Sequence, residues 1–293
     1  MFSYDNISIL LARTKGETMK LFKFGAVVVG VLLSASLVAC GANDQSTSTD
    51  TSYAGAEKTY AIVTDTAFAP FEYAEDDGTY AGIDVEILHA IAEDQGFMYD
   101  LKPVGFDAAL QGVQAGKADG VIAGMSITDE RKQVFDFSNP YYDSTVCCAV
   151  KSGSEIKSME DLKDKNVAVK NGTMSKKWAD SLKDQYGFKT TTFDSSDVMY
   201  EDVVTGNSAA CFEDTPAMSY AITRHADTKG KEGADLEIIS EVEATSDFAT
   251  PYGFAVSKGS NPELLKKFND GLANIKQNGT YEQIVTKYVK SAQ

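Results

Sequence analysis

The sequence contains fewer basic than acidic residues, only two histidines and only four cysteines. Each of these low counts argues against a class of function. Its 27 lysines and arginines are outnumbered by 43 aspartates and glutamates, so the formal net charge is −16. This acidic balance argues against nucleic acid as a partner and against a broad basic membrane-binding patch. The two histidines, His89 and His225, lie in helical patterns far from any cysteine pair, so no metal site is predicted. No pattern indicates a cofactor.

Cysteine is scarce as well. Of the four in the chain, Cys147, Cys148 and Cys211 lie in apolar runs typical of strands. Neighbouring cysteines rarely bridge each other, because a disulfide needs a wider Cα separation than adjacent residues have. We therefore expect these three to be small buried hydrophobic residues.

Long apolar runs are absent except near the N-terminus. There, lysines precede the apolar stretch 24–38, which is followed by Ala39 and Cys40. A charged start, an apolar core of about 15 residues and small residues at the end are typical of a secretory signal, and the core is short for a membrane span. We expect residues 1–39 to be a signal peptide, in which 1–18 is an over-long gene start.

The Leu-Val-Ala-Cys ending of that stretch resembles a bacterial lipobox, in which the cysteine is lipidated and begins the mature chain. After Cys40, residues 41–56 are rich in Ser, Thr, Asp, Asn and Gly, which is typical of a flexible, solvated tether. We expect 40–59 to be a lipidated cysteine and its tether, which would anchor the protein on the extracytoplasmic face of the cell membrane.

From residue 60 onward, short apolar runs typical of strands alternate with helical patterns. The run 60–63 is followed by a helix with a regular apolar face over 83–91, and further strands and helices come next. Regular alternation of this kind predicts an α/β fold with a mostly parallel sheet and helices on both faces. The pattern restarts after residue 150, which predicts two α/β units and a C-terminal segment that packs on one of them.

The segment 123–131, AGMSITDER, follows an apolar run that predicts a buried strand. It predicts a sharp turn into a short helix, which begins at Thr128 and continues through Val134. Ser126 brings a hydroxyl and Arg131 a planar fork of donors. A strand end, a helix N-terminus and an arginine suit a small carboxylate, because the fork binds it bidentately and the helix amides add donors. A surface helix with an exposed arginine is the alternative.

Several further segments resemble the motifs of one known family. They are 65–71 (DTAFAPF), 82–85 (GIDV), 136–138 (DFS), 167–173 (VAVKNGT), 213–216 (EDTP) and 252–256 (YGFAV). Together with 123–131 and in this order, they resemble the bacterial extracellular solute-binding proteins of family 3, the polar amino acid receptors of ABC importers. The resemblance extends from about residue 60 to residue 288.

The resemblance implies a type II periplasmic-binding-protein-like fold, in which two α/β lobes joined by two extended crossovers close on a ligand. Lobe 1 would comprise 60–140 plus 253–293, and lobe 2 would comprise 146–247. The hinge strands would be 141–145 and 248–252. The ligand would lie between the lobes, where strand ends face each other. A monomer that delivers a small amino acid to an ABC permease and its ATPase is implied.

The resemblance also implies a set of ligand-binding residues. They are Asp65, Phe68, Phe106, Gly124, Ser126, Arg131, Lys170, Thr173 and Asp214. Arg131 would pair bidentately with the ligand α-carboxylate. Asp214 would take the α-ammonium, although an aspartate before Thr-Pro also suits a helix cap. Gly124 would offer its carbonyl to the ammonium. Ser126 would bond either group, with ordinary turn chemistry as the alternative.

Aromatic and lobe 2 positions would complete that site. Phe68 and Phe106 would sandwich the aliphatic part of the ligand, and plain core packing is their alternative. Thr173 follows a glycine at a predicted helix start, so its amide would reach the carboxylate from lobe 2. Met174 departs from the small residue that close relatives often have there, and it would narrow the pocket.

Asp65 and Lys170 would set the specificity. Together they offer a distal amide one acceptor and one cationic donor, which matches the glutamine-binding members. Ionised Asp65 would repel a free glutamate side chain, and Lys170 would repel arginine or lysine. Glutamine ranks first, glutamate or asparagine second, and basic amino acids third. A structural ion pair between these two residues is the alternative.

Two other classes share this fold. A cyclic-acid dehydratase needs a general acid beside its substrate ring, whereas the pairing of Arg131 with Asp214 suits a zwitterion and no histidine falls at a matched position. A ligand-sensing protein needs transmembrane and signalling segments after the binding region, and the sequence up to Gln293 predicts neither. We therefore expect a binding protein and not an enzyme.

Overall fold

The computed structural model describes residues 58–225 and 235–289. The expected signal peptide, the lipidation site at Cys40 and nearly all of the expected tether lie outside the described residues. Within those two ranges, every helix is too short or too polar to cross a membrane.

Short strands alternate with helices along the described residues. The strands are β1 (Thr59–Thr64), β2 (Ala67–Phe68), β3 (Glu72–Ala74), β4 (Tyr80–Ala81), β5 (Met98–Pro103), β6 (Gly120–Val121), β7 (Phe135–Phe137), β8 (Val146–Lys151), β9 (Asn166–Lys170), β10 (Lys189–Phe193), β11 (Ala210–Asp214), β12 (Leu236–Glu241) and β13 (Ala255–Ser257). The helices are α1 (Ile83–Gln95), α2 (Phe106–Gln114), α3 (Met174–Tyr186), α4 (Ser196–Val204), α5 (Thr215–His225), α6 (Pro262–Gln277) and α7 (Thr280–Tyr288).

Two five-stranded sheets organise these elements. The first has the strand order β5-β1-β6-β13-β7 and carries α1, α2, α6 and α7, and we call this part lobe 1. The second has the order β10-β9-β11-β8-β12 and carries α3, α4 and α5, and we call this part lobe 2. The short strands β2, β3 and β4 form a small antiparallel sheet that contacts α1.

Both sheets are mixed: in each, four strands run in one direction, as the expectation of mostly parallel sheets requires, and one strand runs against them. In lobe 1, β1 is parallel to β5 and β6, whereas β13 is antiparallel to β6 and β7. In lobe 2, β9 is parallel to β10 and β11, whereas β8 is antiparallel to β11 and β12. A crossover through a helix on the same sheet makes strands parallel. Because the chain reaches β8 and β13 from the other lobe, no such crossover imposes that direction.

The C-terminal helices pack on lobe 1 because their apolar faces match that of α1. Ile87 and Ile91 of α1 share one core with Phe268 and Leu272 of α6. The two helices approach closely at Gly271, where a Cβ would lie 2.8 Å from Cγ2 of Ile91. Since each fully buried large apolar side chain contributes about 1.5–3 kcal/mol, this helix pair is a major source of stability in lobe 1.

Two neighbouring segments, 138–145 and 242–254, carry the chain between the lobes. The amide of Tyr252 donates to the carbonyl of Tyr142 at 2.7 Å, and the amide of Tyr141 donates to the carbonyl of Tyr252 at 3.0 Å. Tyr252 forms isolated bridges to Ser126 and Tyr142 and is not part of a regular strand, since β13 begins only at Ala255. The two crossings are hydrogen-bonded to each other where they pass between the sheets.

The segment after β6 does not form the predicted α-helix. Only Arg131–Gln133 is helical, as a single 3-10 turn, and β7 begins two residues later. Oγ1 of Thr128 accepts a hydrogen bond from the amide of Arg131 at 3.2 Å. The local cap is therefore present, but the chain must turn back into the sheet, so no room is left for further helical turns. The helix N-terminus expected to bind a carboxylate here is replaced by this turn.

The three cysteines are buried and free, as predicted. Successive residues of a strand face opposite sides of the sheet. Cys147 of β8 consequently packs in one core with Cys211 of β11, while Cys148 packs in the core on the other side. Burial raises the pKa of all three thiols well above the ordinary value. They act as small hydrophobic residues of lobe 2.

Candidate ligand-binding site

A small cavity lies where strand ends of the two lobes meet. Its lining residues are Asp65, Phe68, Phe106, Ala123, Gly124, Lys170, Thr173 and Asp214. These include every residue of the predicted site except Ser126 and Arg131. The cavity has a volume of about 10 Å³, which is room for about one water molecule.

The topology explains why distant residues converge here. Asp65 follows β1 and Gly124 follows β6, while Lys170 and Asp214 are the last residues of β9 and β11. These strands are parallel within each sheet, so their carboxyl ends lie at the same edge. Clefts outside the carboxyl ends of strands are the usual ligand sites of open α/β sheets.

Asp65 and Lys170 form a buried ion pair between the lobes. Nζ of Lys170 lies 2.5 Å from Oδ2 of Asp65, and the two side chains are only 3% and 1% exposed. Burial by itself lowers the pKa of Lys170, but the negative charges of Asp65 and Glu213 outweigh it and raise that pKa. Nζ also lies 4.9 Å from the centre of the Phe68 ring. The ammonium of Lys170 is thus charged, desolvated and held against an aromatic face.

Asp214 presents a carboxylate oxygen to this cavity. Its Oδ2 accepts a hydrogen bond from the hydroxyl of Tyr252 at 2.5 Å, whereas its buried Oδ1 has no hydrogen-bond partner among the described residues. Burial and the neighbouring Glu213 raise the pKa of Asp214 to about 7, against the lowering effects of Tyr252, Lys170 and Arg131. An unpartnered buried oxygen of this kind suits a donor supplied by a ligand.

Arg131 is buried and not part of an exposed helix, so the surface alternative is wrong. Its guanidinium donates to the backbone carbonyl of Ser126 at 2.8 Å and, across the lobes, to the carbonyl of Gly172 at 2.8 Å. The guanidinium carbon lies 5.4 Å from the centre of the Phe106 ring. Burial lowers the pKa of Arg131 to about 10, with Asp214 and Glu130 opposing the change. The side chain keeps its positive charge at neutral pH beside the cavity.

Gly124 occupies a position that only glycine suits. Its φ is +52°, and a Cβ would lie 2.3 Å from Cε1 of Phe68, closer than any real contact allows. Its amide donates to Oδ2 of Asp84 at 2.7 Å. The glycine therefore lets the aromatic ring and the backbone meet at the wall of the cavity.

The two aromatic residues of the predicted site lie at the boundary between the cavity and the core. Phe68 and Phe106 line the cavity and also belong to hydrophobic cores of lobe 1. Thr173 caps α3, because its Oγ1 accepts from the amide of Lys176 at 3.1 Å. Met174 packs in the core of lobe 2 and is not among the lining residues, which corrects the expectation that it narrows the pocket.

Two residues that reasoning from sequence missed support the site. Tyr252 is fully buried; its hydroxyl donates to Asp214 and accepts from the hydroxyl of Ser144 at 2.9 Å. Glu213 is fully buried and accepts from the hydroxyl of Ser196 at 2.7 Å and from the amide of Asp214 at 2.8 Å. An acid at the end of a buried strand was a usable signal for Glu213. The sequence offered no such signal for Tyr252, because a tyrosine in an apolar run looks like any other core residue.

Comparison with known proteins agrees with this fold. The family of bacterial extracellular solute-binding proteins, family 3, matches residues 60–291. The L-cystine-binding protein TcyJ of Escherichia coli strain K12 is 33% identical, over 75% of this chain and 79% of that protein.

Solved structures give the same result. Substrate-binding domain 2 of Lactococcus lactis GlnP, in an open conformation, is 42% identical over 80% of this chain and 97% of that one, with a TM-score of 0.56. An ancestral arginine-binding protein bound to glutamine is 34% identical over 80% and 99%, with a TM-score of 0.70. These are binding proteins and not enzymes, and the chain belongs to the bacterial extracellular solute-binding proteins of family 3.

Proposed function

We propose that the protein captures a polar amino acid, glutamine in first place, between its two lobes and delivers it to an ABC permease and its ATPase. In this proposal it is a monomer held on the extracytoplasmic face of the cell membrane by a lipidated Cys40. The observation that carries the proposal is Oδ1 of Asp214, which has no hydrogen-bond partner within 58–225 and 235–289 and lies beside the charged guanidinium of Arg131. An α-amino acid supplies one positive and one negative group, which match this pair of charges.

Ligand binding requires the lobes to separate, because a cavity of about 10 Å³ is far smaller than an amino acid. Separation breaks the bond from Arg131 to the carbonyl of Gly172 and frees part of the guanidinium fork for a carboxylate. It also breaks the bond from Nδ2 of Asn171 to Oδ2 of Asp107, which measures 2.5 Å. The hydrogen-bonded crossings then act as the hinge.

The comparison structures are consistent with such a hinge. The GlnP domain, which is in an open conformation, has the higher sequence identity of the two structures but the lower TM-score, 0.56 against 0.70. A rigid superposition scores poorly when two lobes have the same internal fold and a different mutual angle. A hinge formed by residues 138–145 and 242–254, about which the two lobes rotate, accounts for that difference.

The side chain of glutamine fits between Asp65 and Lys170. When the lobes part, the ion pair between Asp65 and Lys170 separates. The amide of glutamine then offers its oxygen as an acceptor to Lys170 and its NH2 group as a donor to Asp65. A glutamate side chain lacks the donor, and an arginine side chain lacks the acceptor. The similarity to the GlnP domain and the glutamine bound to the ancestral protein support this choice.

Basic amino acids rank third in this proposal, after glutamate and asparagine, although carboxylates outnumber cations around the cavity. Asp65, Asp214 and the buried Glu213 face Lys170 and Arg131. An incoming guanidinium would have to displace Lys170 from Asp65, which leaves two cations close together.

Calorimetric titration of the purified protein with each of the twenty amino acids tests the proposal. We expect glutamine to bind most tightly and to be recovered unchanged. A thermal-shift screen serves as an independent readout, since a ligand at a hundred times its Kd adds about 2.7 kcal/mol to stability. Binding of none of the twenty would overturn the proposal, and tighter binding of arginine would replace glutamine as the ligand.

A further inference from the structure

Two carboxyl groups lie side by side in lobe 1, outside the cavity. Glu72 of β3 and Asp84 of α1 are both completely buried, and their segments are held together because the amide of Asp84 donates to the carbonyl of Phe71, the residue before Glu72, at 2.9 Å. Two ionised carboxylates would repel each other strongly in such a place. A proton on one of the two removes this repulsion and supplies a donor for a hydrogen bond between them.

The other contacts of the pair show which one. Oδ2 of Asp84 accepts from the amide of Gly124 at 2.7 Å and from the hydroxyl of Tyr141 at 2.7 Å. Asp84 also lies in the first turn of α1, where a negative charge is favoured. Among the described residues, both carboxyl oxygens of Glu72 and Oδ1 of Asp84 are buried without a hydrogen-bond partner. A proton on Glu72, donated to Oδ1 of Asp84, gives that oxygen its partner.

The titration of the two groups follows from the same contacts. Burial, and then the charges of Asp84 and Asp65, raise the pKa of Glu72 well above its ordinary value, while Lys170 lowers it. Burial raises the pKa of Asp84 to about 6, and the bonds from Gly124 and Tyr141 limit the rise. Lys170 comes from lobe 2, so lobe opening removes a cation that opposes the proton on Glu72.

The pair connects two functional parts of the molecule. Gly124 lines the cavity, and Tyr141 lies in the crossing between the lobes. Both donate to the same oxygen of Asp84. We propose that Glu72 is a positioning residue, which donates its carboxyl proton to Asp84 and thereby holds the Gly124 backbone and the Tyr141 hydroxyl in place for ligand binding. This inference rests on the proposed function for its ligand and on the buried cluster for its chemistry.

Infrared difference spectroscopy of the unliganded protein tests the proton directly. As the pH is raised past the pKa values of about 6 for Asp84 and about 7 for Asp214, the wild type should keep the C=O stretch of a protonated carboxylic acid at a pH where an ordinary glutamate is ionised. The band should disappear in Glu72→Gln and persist in Glu75→Gln, which changes an exposed glutamate three residues away. A wild type without this band would overturn the proposal, whether or not the protein binds glutamine.

Titration with glutamine tests the positioning role. Glu72→Gln keeps a donor for Asp84 and should bind within about twofold of the wild type, whereas Glu72→Leu removes the donor and should bind about tenfold more weakly. Rescue by the amide separates hydrogen bonding from simple packing. Equal losses in the two variants, or wild-type affinity in Glu72→Leu, would show that the donated proton does not position the site.

Discussion

The hydroxyl of Tyr252 donates a hydrogen bond of 2.5 Å to Oδ2 of Asp214, so a residue of the second crossing supports a carboxylate at the end of a lobe 2 strand. Tyr252 is itself held by the hydroxyl of Ser144 in the first crossing. The charge state of the cavity is consequently linked to the segments that join the lobes.

We expect Tyr252→Phe to weaken glutamine binding about tenfold at neutral pH, since hydrogen bonds to charged groups contribute about 1.5–3 kcal/mol. Loss of the donor removes a contact that lowers the pKa of Asp214, so the pH at which affinity is half lost should move upward. Calorimetry across pH measures both effects. Tyr142→Phe is the matched control, because the Tyr142 ring stacks on Tyr252 with centroids 6.0 Å apart. Equal losses in the two variants would contradict the role given to the Tyr252 hydroxyl.

Acidification should weaken ligand binding through Asp214. Its pKa in the folded protein is raised to about 7, and only the ionised carboxylate pairs with a ligand ammonium. Affinity should therefore fall as pH drops below 7, by at most about tenfold per unit. Binding below that pH should also release up to about one proton, which titrations in buffers of different ionisation enthalpy detect. A flat affinity between pH about 5 and about 7 would exclude this group from ammonium binding.

The same pKa shift has the opposite effect on stability without ligand. The folded protein keeps the Asp214 proton to a higher pH than the unfolded chain does, because the folded pKa is raised. The contribution of this proton to folding stability is complete below about pH 3.9, the pKa of an aspartate in the unfolded chain. It is lost as the pH rises to about 7, the pKa of Asp214 in the folded protein. Urea unfolding at several pH values should show this loss of stability in the window where affinity rises. Asp214→Asn should lack it, because an amide does not titrate, and an equal loss in that variant would assign the effect to another group.

Arg131→Ala and Asp214→Ala should each weaken every amino acid ligand, whatever its side chain. Removing one partner strands a desolvated ligand charge, which costs about 2–5 kcal/mol. Arg131→Lys keeps the charge but loses the planar fork, so it should restore only part of the affinity. Calorimetry with glutamine and arginine measures the losses. Near-native binding in either alanine variant would remove that residue from the site.

Lys170→Met should weaken glutamine and lower the barrier against arginine, because a cation then meets only Asp65. Asp65→Asn should act in the other direction and favour glutamate over glutamine. Shifts of about 1–3 kcal/mol are expected in a dry pocket. The test titrates glutamine, glutamate and arginine into both variants. An unchanged ranking in both would mean that the pair is structural and that specificity lies elsewhere.

Cys40→Ala should release the protein from the membrane or leave it unprocessed. The Leu-Val-Ala-Cys sequence motivates this expectation, and stable anchoring needs more than one acyl chain. Cell fractionation followed by immunoblotting measures the distribution. Cys211→Ala is a suitable control, since Cys211 is buried in lobe 2. Equal membrane retention of Cys40→Ala and wild type would refute lipid anchoring.

Local patterns predicted the regular elements well. The predicted apolar face over 83–91 is that of α1, which ends at Gln95, immediately before Gly96 with its φ of +60°. The segment 123–131 was less predictable, because its backbone is decided by the return into β7 and not by its own caps. The antiparallel members of both sheets also depend on the order in which the chain visits the lobes, which periodicity does not encode.

The site was predictable only where a residue type matched a ligand group. Aspartate and lysine at strand ends, and arginine in the turn before β7, could be assigned to charges of an amino acid. The Glu72–Asp84 pair could not, because two acids twelve positions apart have no signal in common until the fold buries them together. The partner of Asp214 was hidden for the same reason, since Tyr252 is distant in sequence and looks like a core residue.

Burial of Cys147, Cys148 and Cys211 has a practical consequence for measuring lobe closure. Alkylating dyes react with the thiolate, and burial raises the pKa of all three thiols and shields them from reagent. In a Cys40→Ala background, a single cysteine placed on an exposed residue such as Met98 would take the fluorophore while these three stay unlabelled. A second fluorophore at an exposed position on lobe 2 would make this variant an optical reporter of amino acid concentration, with no core residue altered.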